Sequence, residues 1–218
     1  MKKVLFLFCG VALVFAVTVT AQATLILEGF ESGVPGPGWS LLQTNTLKTW
    51  EELTAGDPHS GSKAAQVLYD PYLNQQDEWL LSPVIYPASD FTVEAWSFGS
   101  LYWGRDDLDN YDLKLWLVYG GSVGGGDDVL VGKLDDDWTG EWVWSTSFFD
   151  LDSLGSYTPG SPVQVGFQYV GVDGAQAALD DITIDYSRAA GPVPEPATVL
   201  LLGTGLVGLA GFRKKFKK

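Results

Sequence analysis

The central part of this 218-residue chain consists of short runs of alternating or apolar residues, separated by clusters of Gly, Pro, Asn and Asp. No stretch within it combines a helical period with capping residues, whereas period-two alternation is typical of strands that bury one face. The runs predict nine strands, at residues 25–28, 64–69, 78–81, 91–98, 111–118, 129–133, 141–148, 163–169 and 177–186. The sequence therefore predicts an all-β fold for this region.

The run at 111–118 shows why we expect one face of each strand to be buried. Leu113, Leu115 and Leu117 share one face of an extended strand, and polar residues with one tryptophan occupy the other. Nine such strands in about 170 residues favour a jelly-roll β-sandwich, in which two antiparallel sheets enclose one core.

The charge of the central region excludes one class of partner. Six of the 13 basic residues and 26 of the 27 acidic residues lie between Thr24 and Pro192, which gives this segment a formal charge of −20. Nucleic-acid binding relies on Lys and Arg to displace counterions, so a nucleic-acid partner is not expected. All nine tryptophans also lie there, which indicates a folded domain because disordered chains are poor in aromatic residues.

The N-terminal residues have the pattern of a secretory signal peptide. Lys2 and Lys3 form a short basic segment, residues 4–20 are apolar, and Ala21-Gln22-Ala23 supplies a small-x-small cleavage site. We predict that residues 1–23 are removed by signal peptidase after Ala23, so that the folded domain comprises residues 24–188.

The C-terminal residues 189–218 have the pattern of a linker followed by a second targeting signal. Residues 193–196 read Val-Pro-Glu-Pro, residues 197–212 are apolar and rich in Gly, and residues 213–218 are basic except for one Phe. The apolar stretch predicts a short transmembrane helix, because it has fewer residues than the roughly 20 that usually cross the hydrocarbon core of a bilayer. The basic tail fits retention on the cytoplasmic side while the preceding domain is exported.

This C-terminal pattern resembles the PEP-CTERM sorting signal of biofilm-forming Gram-negative bacteria. The resemblance covers about the last 26 residues and includes the tripeptide Pro194-Glu195-Pro196, the Gly-interrupted span and the basic end. It implies recognition by an exosortase, transient anchoring in the inner membrane and cleavage near the tripeptide. It also implies release to the cell surface or the extracellular polysaccharide matrix.

The central domain resembles the cleaved-adhesin and MAM-like jelly rolls, often called choice-of-anchor J domains. The motifs that carry the resemblance are FESG at 30–33, GW at 38–39, HSGS at 59–62, EWLLSP at 78–83, GF at 166–167 and LDDI at 179–182. It implies a jelly roll used for adhesion or glycan contact without catalysis. The chain departs from disulfide-bonded members, because its single cysteine lies in the predicted signal peptide.

Calcium is the cofactor that the acidic residues favour, because it takes six to eight oxygen ligands. Alternation places Asp180 on the same strand face as Ile182 and Ile184, and a buried carboxylate is costly without a partner. We expect Glu31 and Asp181 to complete a metal site with Asp180. The alternative is that these acids cap turns or face water.

The tryptophans suggest a surface for sugars, whose rings stack on flat aromatic side chains. Most tryptophans are largely buried, so we predict that Trp79, Trp96 and Trp142 belong to the core. Trp103 lies in an apparent loop at 102–105, and Trp138 lies just before the predicted strand at 141–148. Both are predicted as exposed ligand-binding residues.

These features together predict a secreted or surface-sorted, non-enzymatic adhesin-like module that associates with extracellular polysaccharide or biofilm matrix and is stabilised by calcium. Two alternatives stay open. A glycan hydrolase or lyase on a β-sandwich needs two suitably spaced carboxylates, whose separation a sequence does not show. A purely structural matrix protein needs no defined ligand.

Overall fold

Antiparallel strands dominate the structure, a computed structural model that describes residues 22–155 and 157–188. The strands are β1 (Gln22–Glu28), β2 (Ser40–Leu42), β3 (Glu51–Glu52), β4 (Ala65–Val67), β5 (Gln76–Leu81), β6 (Pro87–Gly99), β7 (Tyr111–Tyr119), β8 (Val129–Lys133), β9 (Ser145–Asp150), β10 (Val163–Gly171) and β11 (Ala177–Arg188). The helical segments are a π-helical turn (Tyr102–Asp106), a 3₁₀ turn (Asp135–Asp137) and a single turn of α-helix, α1 (Leu151–Leu154). The predicted all-β class is confirmed.

The strands form two sheets. The larger sheet has the order β3-β4-β11-β6-β9, with β1 also paired to β11, and the smaller sheet has the order β2-β5-β10-β7-β8. Every named strand pair is antiparallel. All of these strands belong to one compact unit, Ala21–Ala189.

The core lies between the inner faces of the two sheets and follows the predicted alternation. On β7 Leu113, Leu115 and Leu117 are fully buried, as expected. They pack in one cluster with side chains from β10, such as Phe167, and from β11, such as Ile184. Burial of apolar surface from both sheets is the main term that holds the sandwich together.

The observed strands differ from the predicted ones in two respects. β2 and β3 were not predicted, because runs of three and two residues are too short to show a period. The predicted strand at 141–148 begins only at Ser145 and continues to Asp150. Its first residues form a turn instead, because Trp142 has the left-handed φ of 59°.

An irregularity in β11 corrects the predicted orientation of Asp180. The register with β6 shifts between Asp180 and Thr183, and Asp181 has a φ of 45°, which marks a β-bulge. Leu179 and Ile182 therefore both face the core, whereas Asp180 pairs with Trp96 on the outer face of the larger sheet. The prediction that Asp180 shares a face with Ile182 is wrong, because the extra residue reverses the alternation.

Both predicted targeting segments lie largely outside the described residues. Ala23 is described and lies in β1, paired with Ser187. Pro194, Glu195, Pro196 and the predicted span at 197–212 are outside the described part of the chain. Within residues 22–155 and 157–188, no helix has the length and apolar character that crossing a membrane requires.

Candidate functional site

Glu31, Asp180 and Asp181, the three predicted metal ligands, all bind one loop, residues 59–63, and we call this arrangement the acid clamp. Asp180 Oδ2 accepts a hydrogen bond from the Ser60 N–H at 3.1 Å. Asp181 Oδ2 lies 2.7 Å from His59 Nδ1. Glu31 Oε1 accepts from the Ser62 N–H at 2.7 Å. The bulge in β11 makes this possible, because it turns two consecutive carboxylates toward the loop.

Two carboxyl groups of the acid clamp have pKa values that are shifted in opposite directions. Burial raises the pKa of Asp180, which is 0% exposed, and the neighbouring charge of Asp181 adds to the rise, while the Ser60 N–H opposes it. The pKa of Glu31 is lowered, first by the Ser62 hydroxyl and then by backbone N–H groups. Burial thus disfavours the charged form of Asp180, whereas hydrogen bonds favour the charged form of Glu31.

The structure brings only part of the predicted metal site together. A Cβ atom added to Gly29 would lie 3.4 Å from Asp181 Oδ1 and 3.8 Å from Asp180 Oδ1, so both carboxylates lie close to this glycine. Each of these oxygens also accepts a hydrogen bond, Asp181 Oδ1 from Ser60 Oγ and Asp180 Oδ1 from the Asp181 N–H. Glu31 is directed to Ser62 and Lys63 instead. No group of three or more His, Cys, Asp or Glu side chains that could hold a metal ion occurs among the described residues.

Next to the acid clamp, the outer face of the larger sheet carries a row of ring side chains that continues into the turn before β9. The aromatic row consists of Trp96, His59, Trp144, Phe98 and Trp142. His59 stacks on Trp96 with ring centres 3.8 Å apart and lies 5.9 Å from Trp144. Phe98 follows at 4.6 Å from Trp144 and 6.3 Å from Trp142, in edge-to-face contacts.

The acid clamp and the surrounding loops hold this row in place. Asp181 binds the His59 ring, and the Trp144 indole N–H donates to the Asp57 carbonyl oxygen at 3.0 Å. Trp142 is 47% exposed at the end of the row. Left-handed backbone is rare for a bulky residue and is a recognised feature of functional sites, so the exposed Trp142 ring marks this end of the row as a candidate binding surface.

The structure changes the predicted roles of several tryptophans. Trp138 is 3% exposed and its indole N–H donates to Ser97 Oγ at 2.9 Å inside the sandwich, so its predicted exposure is wrong. Trp103 is half-buried and packs against the core. Trp142, predicted as a core residue, is exposed, because the 141–144 segment leaves the strand before β9 begins.

The aromatic row was missed in the sequence because its members come from three separate segments. His59 lies in a loop 37 residues before Trp96, and no local pattern predicts their stacking. Trp96 and Phe98 are two residues apart on β6, so they share a strand face. The direction of that face, outward, depends on the core-facing position of Val93 and Ala95.

The C-terminal sequence was also compared with known protein families. Residues 192–215 match the PEP-CTERM protein-sorting motif. The predicted sorting signal is therefore confirmed, and it indicates an exported protein with a C-terminal sorting tail that an exosortase processes. A comparison with curated protein sequences found no match.

Solved structures to which the domain is similar include two adhesin domains and one carbohydrate-binding domain. The K1 cleaved adhesin domain of Lys-gingipain from Porphyromonas gingivalis W83 is 13% identical, with a TM-score of 0.54 over 75% of this chain and 99% of that chain. The K2 cleaved adhesin domain of Lys-gingipain is 17% identical, with a TM-score of 0.53 over 74% and 99%. TmCBM61, solved with β-1,4-galactotriose, is 18% identical, with a TM-score of 0.48 over 74% and 95%. The predicted cleaved-adhesin jelly roll is confirmed as the fold.

Proposed function

We propose that the domain is an exported, non-enzymatic module that binds extracellular polysaccharide on the aromatic row. The observation that carries the proposal is the exposed Trp142 ring, which continues a row of four further ring side chains on one sheet face. Flat rings of this kind offer apolar area at low entropic cost, and Trp is enriched among residues that dominate binding energies. The sorting motif supports a location where polysaccharide is met, at the cell surface or in a biofilm matrix.

The experiment is affinity electrophoresis of the purified secreted protein in gels that contain different bacterial and plant polysaccharides. Retardation by at least one polysaccharide is expected, and Trp142→Ala should weaken that binding about tenfold or more, which corresponds to ~1.4 kcal/mol. Tyr86→Ala is the matched control, because Tyr86 is 43% exposed and lies between β5 and β6, away from the row. Binding that survives the loss of Trp142 would contradict the proposed site.

The hydrolase or lyase alternative makes a different prediction in the same experiment. A catalytic module would generate new reducing ends or unsaturated products from the polysaccharide that it binds, whereas a binding module leaves the chain intact. Product formation that is lost when Asp181 is changed to Asn would replace the binding proposal. A purely structural protein would show no retardation with any polysaccharide.

We also propose that calcium stabilises the acid clamp. The support is the position of two carboxylates, Asp180 and Asp181, beside Gly29, and the desolvation of Asp180, which a cation would offset. A ligand that binds only the native state raises its stability, so calcium should raise the midpoint of thermal unfolding by several degrees above its value in chelator. Asp180→Asn should abolish that rise. A midpoint of the wild-type protein that is the same with calcium and with chelator would contradict the proposal that calcium stabilises the acid clamp.

A further inference from the structure

We propose that the aromatic row selects polysaccharides that carry free amino groups, of the glucosamine class, over neutral and acidic chains. This inference rests on the proposed function, because it names the ligand class of the same surface. The ligand class is inferred from the charged residues around the rings, because contacts with aromatic rings do not by themselves distinguish one sugar from another.

Two carboxylates border the row on the strand face. Asp181 lies 2.7 Å from the His59 ring and keeps part of its side chain exposed. Glu94 precedes Trp96 by two residues on β6, so the two side chains leave the same face of the sheet. Its Oε1 atom accepts from Thr146 Oγ1 at 3.3 Å, and Thr146 is the cross-strand partner of Trp96.

Two further carboxylates border the row on the loop side. Asp57 is exposed, and its backbone oxygen holds the Trp144 indole at 3.0 Å. Glu141 is exposed, directly precedes Trp142 and accepts from the Leu101 N–H at 2.6 Å. The Asp57 backbone thus contacts Trp144, and Glu141 adjoins Trp142 in the sequence while its carboxylate binds residues 100–102.

In the described part of the chain no Lys or Arg side chain pairs with these four acids, and the one basic group in contact with any of them is the His59 ring beside Asp181. The ion pairs of Lys and Arg within residues 22–155 and 157–188 use Glu52, Asp106 and Asp112. Lys114 and Lys133, which share Asp112, lie on the smaller sheet. The row thus combines tryptophan rings, whose faces attract ammonium groups, with carboxylates that no Lys or Arg side chain neutralises, and the same negative charge repels uronate and sulfate groups.

The experiment compares three hexasaccharides at pH 6, where amino groups are protonated, by calorimetric titration of the secreted protein in the presence of chelator. The probes are the hexamers of glucosamine, N-acetylglucosamine and galacturonate. We expect the glucosamine hexamer to bind about tenfold or more tighter than the N-acetylated one, with an affinity that falls as NaCl is raised, and the galacturonate hexamer to bind weakest.

Variants separate the charge from the rings. Glu94→Gln and Asp57→Asn should each weaken the glucosamine hexamer about threefold and leave the N-acetylated hexamer unchanged, whereas Trp142→Ala should weaken both. Asp127→Asn is the matched control, because it removes the same charge from an exposed residue between β7 and β8 of the other sheet. The control should change neither affinity.

The outcomes distinguish this inference from the proposed function. Equal affinities for the glucosamine and N-acetylated hexamers, or tighter binding of the galacturonate hexamer, would overturn the amino-sugar class and leave polysaccharide binding in place. The same holds if none of the three binds while another polysaccharide is retarded in a manner that depends on Trp142. Failure of every polysaccharide to bind would overturn both.

Discussion

Asp135 is a buried acid that takes no part in the proposed site. It lies at the start of the 3₁₀ turn, is 1% exposed, and Oδ1 accepts from the Leu113 N–H at 2.8 Å. Burial raises the pKa of Asp135 to about 7, and the charge of Asp112 adds to the rise, while the Leu113 N–H and Lys133 oppose it. The folded state therefore retains a proton that the unfolded state releases near pH 4.

This shift predicts a pH dependence of stability with a definite sign. Between about pH 4 and pH 7 the folded state binds more protons than the unfolded state at this position, so Asp135 lowers the free energy of unfolding as pH rises, and the decline ends above about pH 7. Asp135→Asn keeps an acceptor for Leu113 without the charge. We expect the variant to gain stability over the wild type between pH 5 and pH 8, by up to about 1.4 kcal/mol per pH unit within the window. Urea unfolding of both proteins at pH 5 and at pH 8 gives the difference in their free energies of unfolding. A difference that is the same at both pH values would contradict the prediction.

At the scale of single elements, the acid clamp explains how a loop without regular structure is held against the larger sheet. Residues 59–63 donate hydrogen bonds to the carboxylates of Glu31, Asp180 and Asp181, and the His59 ring contacts Asp181. The three acids come from the segment after β1 and from the bulge of β11. Nine of the eleven strands were predicted, because their alternating or apolar runs are local patterns in the sequence. The bulge was not predicted, since it shifts the register by one residue without a Gly or Pro to mark it.

The acid clamp predicts local protection from proteolysis. Glu31 accepts three hydrogen bonds from Ser62 and Lys63, so Glu31→Ala should let the loop open more often and raise the rate of trypsin cleavage after Lys63 about tenfold. Cleavage after Lys133, in β8, provides the internal control and should not change. Mass spectrometry of timed digests gives both rates. Equal acceleration at the two sites would indicate general destabilisation rather than loss of the clamp.

The whole molecule is dominated by its negative charge. Between Thr24 and Pro192 the formal charge is −20, and self-repulsion of like charges opposes the compact state. Salt shortens the distance over which exposed charges interact, from about 30 Å at 0.01 M to about 10 Å at 0.1 M. The stability of the folded domain should therefore rise with ionic strength, whereas the stability of a protein held by surface ion pairs falls.

We expect the midpoint of thermal unfolding to rise by several degrees between 0.01 M and 0.3 M NaCl. The double variant Asp107→Asn with Asp109→Asn should start higher and rise less, because both acids are exposed and their loss removes repulsion. Asn tolerates the left-handed φ of 50° at position 109. Scanning calorimetry measures both proteins, and a midpoint that falls with salt would show that attractive pairs dominate instead.

The sequence by itself determined the class of the fold, the sorting tail and the charge. Alternation, motif and composition are properties of the chain that do not depend on which distant segments come into contact. It also named Glu31, Asp180 and Asp181 as ligands of a metal site, which stays a prediction. Only the tertiary structure decided that they hold a loop, that Trp138 is internal and that Trp142 is exposed. These outcomes depend on one bulge, one left-handed residue and contacts between segments more than 30 residues apart, which no local pattern encodes.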